Sequence, residues 1–224
     1  METFDNLDFS LTYGNFDPAE VQVDETINAV FVVDISPSVS SYISELNYAF
    51  ADFVQSMQDS HQVDQLMVSV VEFNDTVRVR SGFQPIAQLP AMHFTPSGGG
   101  TALYDAVLKG LENALAYRHN LARSGVNTKT LLFVITDGED NSSHQKASKV
   151  KQEIDLLLAD EQNVFSFASV LFGVGEAANF QKAQKDMGIE LLAKVGTSGD
   201  EIRRMIGLVS QSISRTSRNQ AVQF

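Results

Sequence analysis

The chain has 224 residues, 43% of them apolar and 20% charged, the balance of an ordinary soluble globular domain. A net charge of −12 leaves no basic face for nucleic acid or for anionic membranes. With no cysteine there is no disulfide, thiolate or iron–sulfur chemistry, and His61, His93, His119 and His144 are too scattered for a zinc pattern.

No basic-then-apolar segment opens the sequence, and no apolar run approaches the ~20 residues of a membrane span, so a cytoplasmic location is expected. The length suits one domain. Residues 1–25 read as an extension: Leu7, Phe9, Leu11 and Tyr13 alternate with polar residues, the period of an added edge strand or strap.

Ile27 to Val33 is an apolar run rich in β-branched residues, the pattern of a strand buried on both faces. It ends in Asp34-Ile35-Ser36-Pro37-Ser38, which delivers a carboxylate and two hydroxyls into one loop. Val39, Ile43, Leu46, Phe50, Phe53 and Met57 then mark a helix whose N-terminus is expected right after Pro37-Ser38. Leu66–Phe73 reads as a strand, Asn74-Asp75 as a tight turn, and Thr76–Val79 as an antiparallel edge strand. Residues 81–96 hold three prolines and read as a surface connection with little regular structure.

Ser97-Gly98-Gly99-Gly100-Thr101 leads into Leu103, Val107, Leu111 and Leu115 at helical spacing. Three consecutive glycines are costly in backbone entropy, so a Gly99→Val change is expected to damage whatever this turn holds. Thr130–Thr136 is a second apolar strand, ending in Asp137-Gly138-Glu139-Asp140-Asn141. Val150, Ile154, Leu157 and Leu158 mark a helix, and Val164–Phe172 a strand that ends at Gly173-Val174-Gly175. Phe180–Met187 reads as a short helix, Ile189–Val195 as an edge strand, and Ile202, Met205, Ile206, Val209 and Ile213 as a last amphipathic helix. Residues 214–224 read as a polar tail. Alternation throughout predicts a doubly wound, Rossmann-like α/β domain over residues 26–213. It has a mostly parallel central sheet, one antiparallel edge strand and helices on both faces.

In such sheets ligands gather at the carboxyl ends of central strands. The loops there offer Asp34, Ser36, Ser38, Thr101 and Asp137, two carboxylates and three hydroxyls, a donor set suited to a hard cation. Asp-x-Ser-x-Ser, Gly-Gly-Gly-Thr-Ala-Leu-Tyr-Asp-Ala and Thr-Asp-Gly-Glu-Asp-Asn, in that order, resemble the von Willebrand factor A domain family across residues 26–213. The resemblance implies a complete metal-ion-dependent adhesion site. Asp34, Ser36 and Ser38 lie in its first loop, Thr101 in its second and Asp137 in its third, holding Mg²⁺ with Mn²⁺ or Ca²⁺ as alternatives. It also implies a protein partner that supplies an Asp or Glu to the metal. The stand-alone cytoplasmic members named by the resemblance work as adaptors beside AAA+ ATPases or in stress-response complexes. Pro37 departs from the glycine common at its position.

Other readings of the same residues stand beside this one. The serines and Thr101 also suit helix N-caps, and Glu139 and Asp140 read as solvent-facing rim acids. A metal that only braces the loops would make the protein a structural or assembly component. A phosphotransferase built on Asp34 lacks its second acid, because Ser36 stands there, so no enzyme is expected. Gly173-x-Gly175-x-x-Ala178 matches a dinucleotide fingerprint in form, yet reads better as a tight strand-to-helix turn.

Overall fold

The apolar run before Asp34 forms β1 (Glu25–Asp34), buried at every position after the first. The computed structural model describes residues 25–159 and 167–218, so the expected N-terminal strand and the end of the polar tail lie outside the described residues. Five further strands follow: β2 (Leu66–Phe73), β3 (Val77–Pro85), β4 (Asn127–Thr136), β5 (Phe167–Val174) and β6 (Leu191–Val195). They form one sheet in the order β3-β2-β1-β4-β5-β6. All pairs are parallel except β2 with β3. The order reverses at β1, so its carboxyl end beside that of β4 is the topological switch point.

Alternate residues of β1 point to opposite layers. Ala29, Phe31 and Val33 face α1 (Ile43–Gln58) and α5 (Gly199–Ser217), whereas Val30 and Val32 face α2 (Leu103–Arg123), α3 (Ala147–Ala159) and α4 (Phe180–Met187). Phe31 anchors the first layer, with ring centroids 5.1 Å from Phe50 and 5.3 Å from both Phe53 and Phe133. Burying each such ring contributes about 1.5–3 kcal/mol. In the second layer Gly110 lets α2 lie close on β1, since a Cβ there would stand 3.0 Å from Val32 and 3.2 Å from Val30. That approach fixes the height of the start of α2 over the sheet edge.

Four details differ from the sequence expectation. The antiparallel strand does not stop at Val79 but runs to Pro85, followed by a 3-10 turn over Ile86–Gln88. Register irregularities opposite Val68, Val70 and Val71 twist this strand. Phe83 is buried and stacks on Tyr117 at 4.5 Å, and Ile86, Leu89 and Phe94 are buried too, so much of residues 81–96 is core. The α3 stripe is Val150, Ile154 and Leu157, while Leu158 is exposed. Lastly, α5 continues to Ser217, with Thr216 buried, so residues 214–217 are helical.

Candidate metal centre

β1 carries Asp34 to the switch point, where the side chain is only 1% exposed. Its Oδ1 accepts from the Ser36 N–H at 2.8 Å and its Oδ2 from the Thr136 hydroxyl at 2.6 Å. These bonds aim the carboxylate and tie the ends of β1 and β4 together. Burial is the main influence on its acidity and pushes it up, against the Thr136 and Ser36 bonds that pull it down, with the nearby Asp137 charge adding to the rise. Asp137 is likewise raised, by burial first, with the Ser38 hydrogen bond opposing. A buried acid and a half-buried one, both resisting ionisation at adjoining strand ends, lack a positive neighbour.

The hydroxyls lie beside them. Ser36 Oγ and Ser38 Oγ are 3.0 Å apart, and Ser38 Oγ donates to Asp137 Oδ1 at 2.7 Å. Neighbouring ligand oxygens around an octahedral Mg²⁺ with ~2.1 Å bonds stand about 3 Å apart, so the two spacings in this row of three oxygens match two adjoining edges of such a shell. Neither serine is spent on capping. Ser36 precedes a 3-10 turn over Pro37–Ser41 without a side-chain cap bond, and α1 begins only at Ile43, after a break at Tyr42 (φ −133°, ψ 0°). The helix start expected at Pro37-Ser38 is therefore a single 3-10 turn, with little dipole to oppose a cation. Proline suits it, since its fixed φ fits the first position of such a turn.

Thr101 is buried and does not cap α2 either, whose N-cap position is Ala102. Its backbone is clamped instead: Thr101 N–H donates to Asn141 Oδ1 at 2.8 Å, and the Asn141 and Ser142 N–H groups donate to its carbonyl. Its Oγ1 faces Gly138, where an added Cβ would come 3.4 Å away, an ordinary contact that places the hydroxyl against the residue after Asp137. Ser36, Ser38 and Asp137 are thus in direct contact, Asp34 joins through Ser36 and Thr136, and Thr101 joins through Asn141 and Gly138.

The glycine turn obeys different constraints from those the sequence suggests. Gly98 has φ +79°, and a Cβ on it would fall 2.6 Å from the Asn74 side chain and 2.7 Å from Asp75 Oδ1. Gly100 is pressed against Ser142 and Asn141. Gly99, the expected critical position, has only Asp75 Oδ2 at 3.9 Å and room to spare.

The loop after β4 and the first turn of α2 cap each other. Ser143 Oγ accepts from the Tyr104 N–H at 3.0 Å and the Asp105 N–H at 3.1 Å, and donates to Asp140, which also accepts from Tyr104 N–H. In return Asp105 accepts from the His144 and Gln145 N–H groups at 2.8 and 2.9 Å. Burial works against ionised Asp105, but these donors outweigh it and hold the carboxyl below its usual range. Asp140 is half-buried in this lock and so is not a free rim acid. Glu139 is exposed but accepts from the Asn179 N–H, the cap residue of α4.

Among the described residues no three His, Cys, Asp or Glu side chains converge, so the donor set is one of hydroxyls with two carboxylates. The von Willebrand factor type A domain family model matches residues 28–193. The chain belongs to that family. No curated protein sequence matches it. This A domain is similar to solved structures at low identity, which speak for the fold alone. Proximal thread matrix protein 1 of the mussel byssus, in a structure with a zinc-occupied adhesion motif, is 22% identical with a TM-score of 0.55. The match covers 85% of this chain and 46% of that one. The pilus adhesin SpaC of Lactobacillus rhamnosus GG is 13% identical with a TM-score of 0.58, over 90% of this chain and 31% of that one. BatB of Bacteroides thetaiotaomicron is 16% identical with a TM-score of 0.53, over 86% and 99%. The A domain thus spans under half the length of the mussel protein.

Sequence reasoning missed several members of this A domain's site. Thr136 was readable as the strand's last residue, directly before Asp137, yet only the β1–β4 pairing reveals that it holds Asp34. Asn141 and Ser143 sit in a polar run that gives no sign of which backbone they bind. The glycine pair after β5 is explained by packing. The Phe180 ring lies where a Cβ on Gly173 would go, and Gly175 has φ +76° with its N–H bonded to Val195 O.

Proposed function

We propose that this A domain binds a protein partner through a divalent cation, Mg²⁺ first among candidates, held by Asp34, Ser36, Ser38, Thr101 and Asp137 as a complete adhesion site. The observation that carries this reading is the row of oxygens from Ser36 through Ser38 to Asp137, spaced at 3.0 and 2.7 Å. A shell rich in neutral hydroxyls leaves a dication under-neutralised, so a carboxylate from the partner is favoured over water at the open position. The cation supplies that attraction; the chain supplies the shell. The domain acts as an adaptor and not as an enzyme, in the cytoplasm, and an AAA+ ATPase or a stress-response complex is the partner class the resemblance offers.

A purely bracing metal has less support. The loops are already fastened by Thr101 to Asn141, Ser143 to α2 and Asp105 to His144, so a cation adds little that these bonds lack. Among the described residues no helix is long and apolar enough to cross a membrane.

The test is a lysate pull-down in millimolar Mg²⁺ and in chelator, with Asp34→Asn as bait control. Capture that depends on Mg²⁺ and is lost in the variant supports adhesion. Equal capture in chelator refutes it.

A further inference from the structure

The turn between β2 and β3 is fastened to the glycine turn that leads to Thr101. Asn74 O accepts from the Ala102 N–H at 2.6 Å, and Asn74 Nδ2 donates to Ser97 Oγ at 3.1 Å. The next residue, Asp75, is exposed and lies over that glycine turn. A Cβ on Gly98 would stand 2.7 Å from its Oδ1, and one on Gly99 3.9 Å from its Oδ2. On the other side of the centre, Glu139 is exposed two residues past Asp137 and accepts from the Asn179 N–H at 2.9 Å. Glu176 is exposed in the loop that ends at Asn179, next to Gly175, whose N–H is bonded to Val195 O at 2.7 Å.

In sheet order these acids bracket the candidate centre, which lies where β1 adjoins β4. Asp75 stands beyond β2 on one side, and Glu139 at β4 and Glu176 at β5 on the other. Neighbouring strands are ~4.8 Å apart, so each side of the bracket falls within about one or two strand spacings. Among the described residues no ion pair involves any of the three. Bases at this end of the sheet are committed to other acids. His144 lies 3.2 Å from Asp105, Lys182 2.6 Å from Asp186, and Arg203 3.0 and 2.6 Å from Glu45 and Asp200. Lys146 is exposed, but at the far end of its loop, directly before α3.

A dication held by Asp34 and Asp137 has no formal net charge left once their two carboxylates are counted. A partner acid that joined it would make the filled centre an anion, set among three more. Unless the partner brings positive charge with that acid, repulsion across the bracket offsets the gain from coordination. On one face of an extended segment side chains repeat every ~6.6 Å, a reach of the same order as the bracket.

We infer that Asp75, Glu139 and Glu176 determine which acid the centre accepts: the partner presents one Asp or Glu in an extended segment, with a Lys or Arg two residues away on each side. This rests on the adhesion reading given above and narrows it from any carboxylate to a base-flanked one. The three residues contribute field and not coordination, so they govern choice of partner separately from the five ligands.

The experiment measures fluorescence polarisation of short labelled peptides with the whole protein, in millimolar Mg²⁺ and in chelator. The peptides are rich in Gly and Ser and carry one central Asp. They differ only at the second residue on either side, which is Lys, Ser or Glu. In Mg²⁺ the Lys peptide is expected to bind about tenfold more tightly than the Ser peptide, and the Glu peptide more weakly than both. Raising the salt to about 0.5 M is expected to narrow that spread. The triple variant Asp75→Asn, Glu139→Gln, Glu176→Gln is expected to bring the three peptides within about twofold of one another. A control triple variant, Asp59→Asn, Asp64→Asn, Glu112→Gln, removes the same charge from exposed acids elsewhere and is expected to keep the spread.

Three peptides bound alike by the parent protein, or a spread that both triple variants erase equally, would overturn the inference and leave the adhesion reading standing. So would a parent that titrates with Mg²⁺ yet binds none of the peptides. A Lys preference that persists in chelator, or with Asn as the central residue, would show bases held by the acids alone and overturn both readings. If the parent protein binds no cation, the metal reading fails first and takes this inference with it.

Discussion

The Ser38 hydroxyl donates a 2.7 Å hydrogen bond to Asp137 Oδ1 across 99 residues of sequence. With the Thr136–Asp34 bond it fastens the first loop of the candidate centre to the third, and it joins two groups that a cation would draw to itself. A cation held by both groups would take the place of that bond.

Replacing Ser38 by alanine tests the exchange. The bond is solvent-exposed, so the metal-free protein is expected to lose under ~1 kcal/mol. Mg²⁺ affinity is expected to fall at least ~10-fold, since the loss of even an outer-shell partner has that effect. Denaturant unfolding in chelator and calorimetric titration read the two effects separately.

Asp34→Asn separates charge from scaffold. The amide oxygen keeps the Ser36 N–H bond, and the Thr136 hydroxyl can turn to accept from the new NH₂. The metal-free melting temperature is expected to hold or rise, because a buried acid that resists ionisation has been neutralised. The parent protein at a hundredfold excess of Mg²⁺ over Kd gains about 2.7 kcal/mol. That is a rise of roughly 5–10 °C for a domain this size. The variant is expected to show no rise, and an undiminished one would place the cation elsewhere.

Thr136→Val keeps the shape of the residue and removes the 2.6 Å bond to Asp34 Oδ2. The fold is expected to survive, with Mg²⁺ affinity down about tenfold through the misaligned carboxylate. Circular dichroism and titration together check this, and an unchanged Kd would mean Thr136 does not orient Asp34.

What could be read from the sequence and what could not divides along a physical line. Asp34, Thr101 and Asp137 stand out because each follows or precedes a segment whose burial pattern is readable from period alone. The doubly wound sheet follows from fully apolar strands alternating with striped helices. Partners that act through backbone groups carry no such sign. Nothing local in Asn141 says that it holds Thr101, or in Asp105 that it caps residues 144 and 145, because both bonds span about forty residues. Phe83 gives no sign of its burial in a proline-rich stretch, because β-bulges, which let β3 continue, have no period.

The glycine turn gives a prediction opposite to intuition about its middle residue. Gly98→Ala is expected to cost about 1–2 kcal/mol for the left-handed backbone alone, and to displace Asn74. Gly100→Ala is expected to push Ser142 away and loosen Thr101. Gly99→Ala is expected to leave both stability and Mg²⁺ affinity near those of the parent. Equal damage from all three would contradict the geometry.

In the second layer, Asn113 of α2 is fully buried with both amide atoms unpaired. Asn113→Leu keeps its approximate size and is expected to stabilise the protein by about 1–3 kcal/mol. The midpoint of urea unfolding checks this, and a lower midpoint would show that the amide has a water or another partner.

The place of β1 in the sheet has a consequence for synthesis. Asp34, Ser36 and Ser38 leave the ribosome about a hundred residues before Asp137, a delay of roughly 5–20 s at ~5–20 residues per second. Over that interval β1 can pair with β2, but the strand that closes its other side has not been made. On the proposed function, a cation would find the shell without Asp137 over that interval and could not guide the early chain. It would select only among finished sheets, so a nascent domain that stalls before β4 would offer neither a held cation nor an adhesive face to its surroundings.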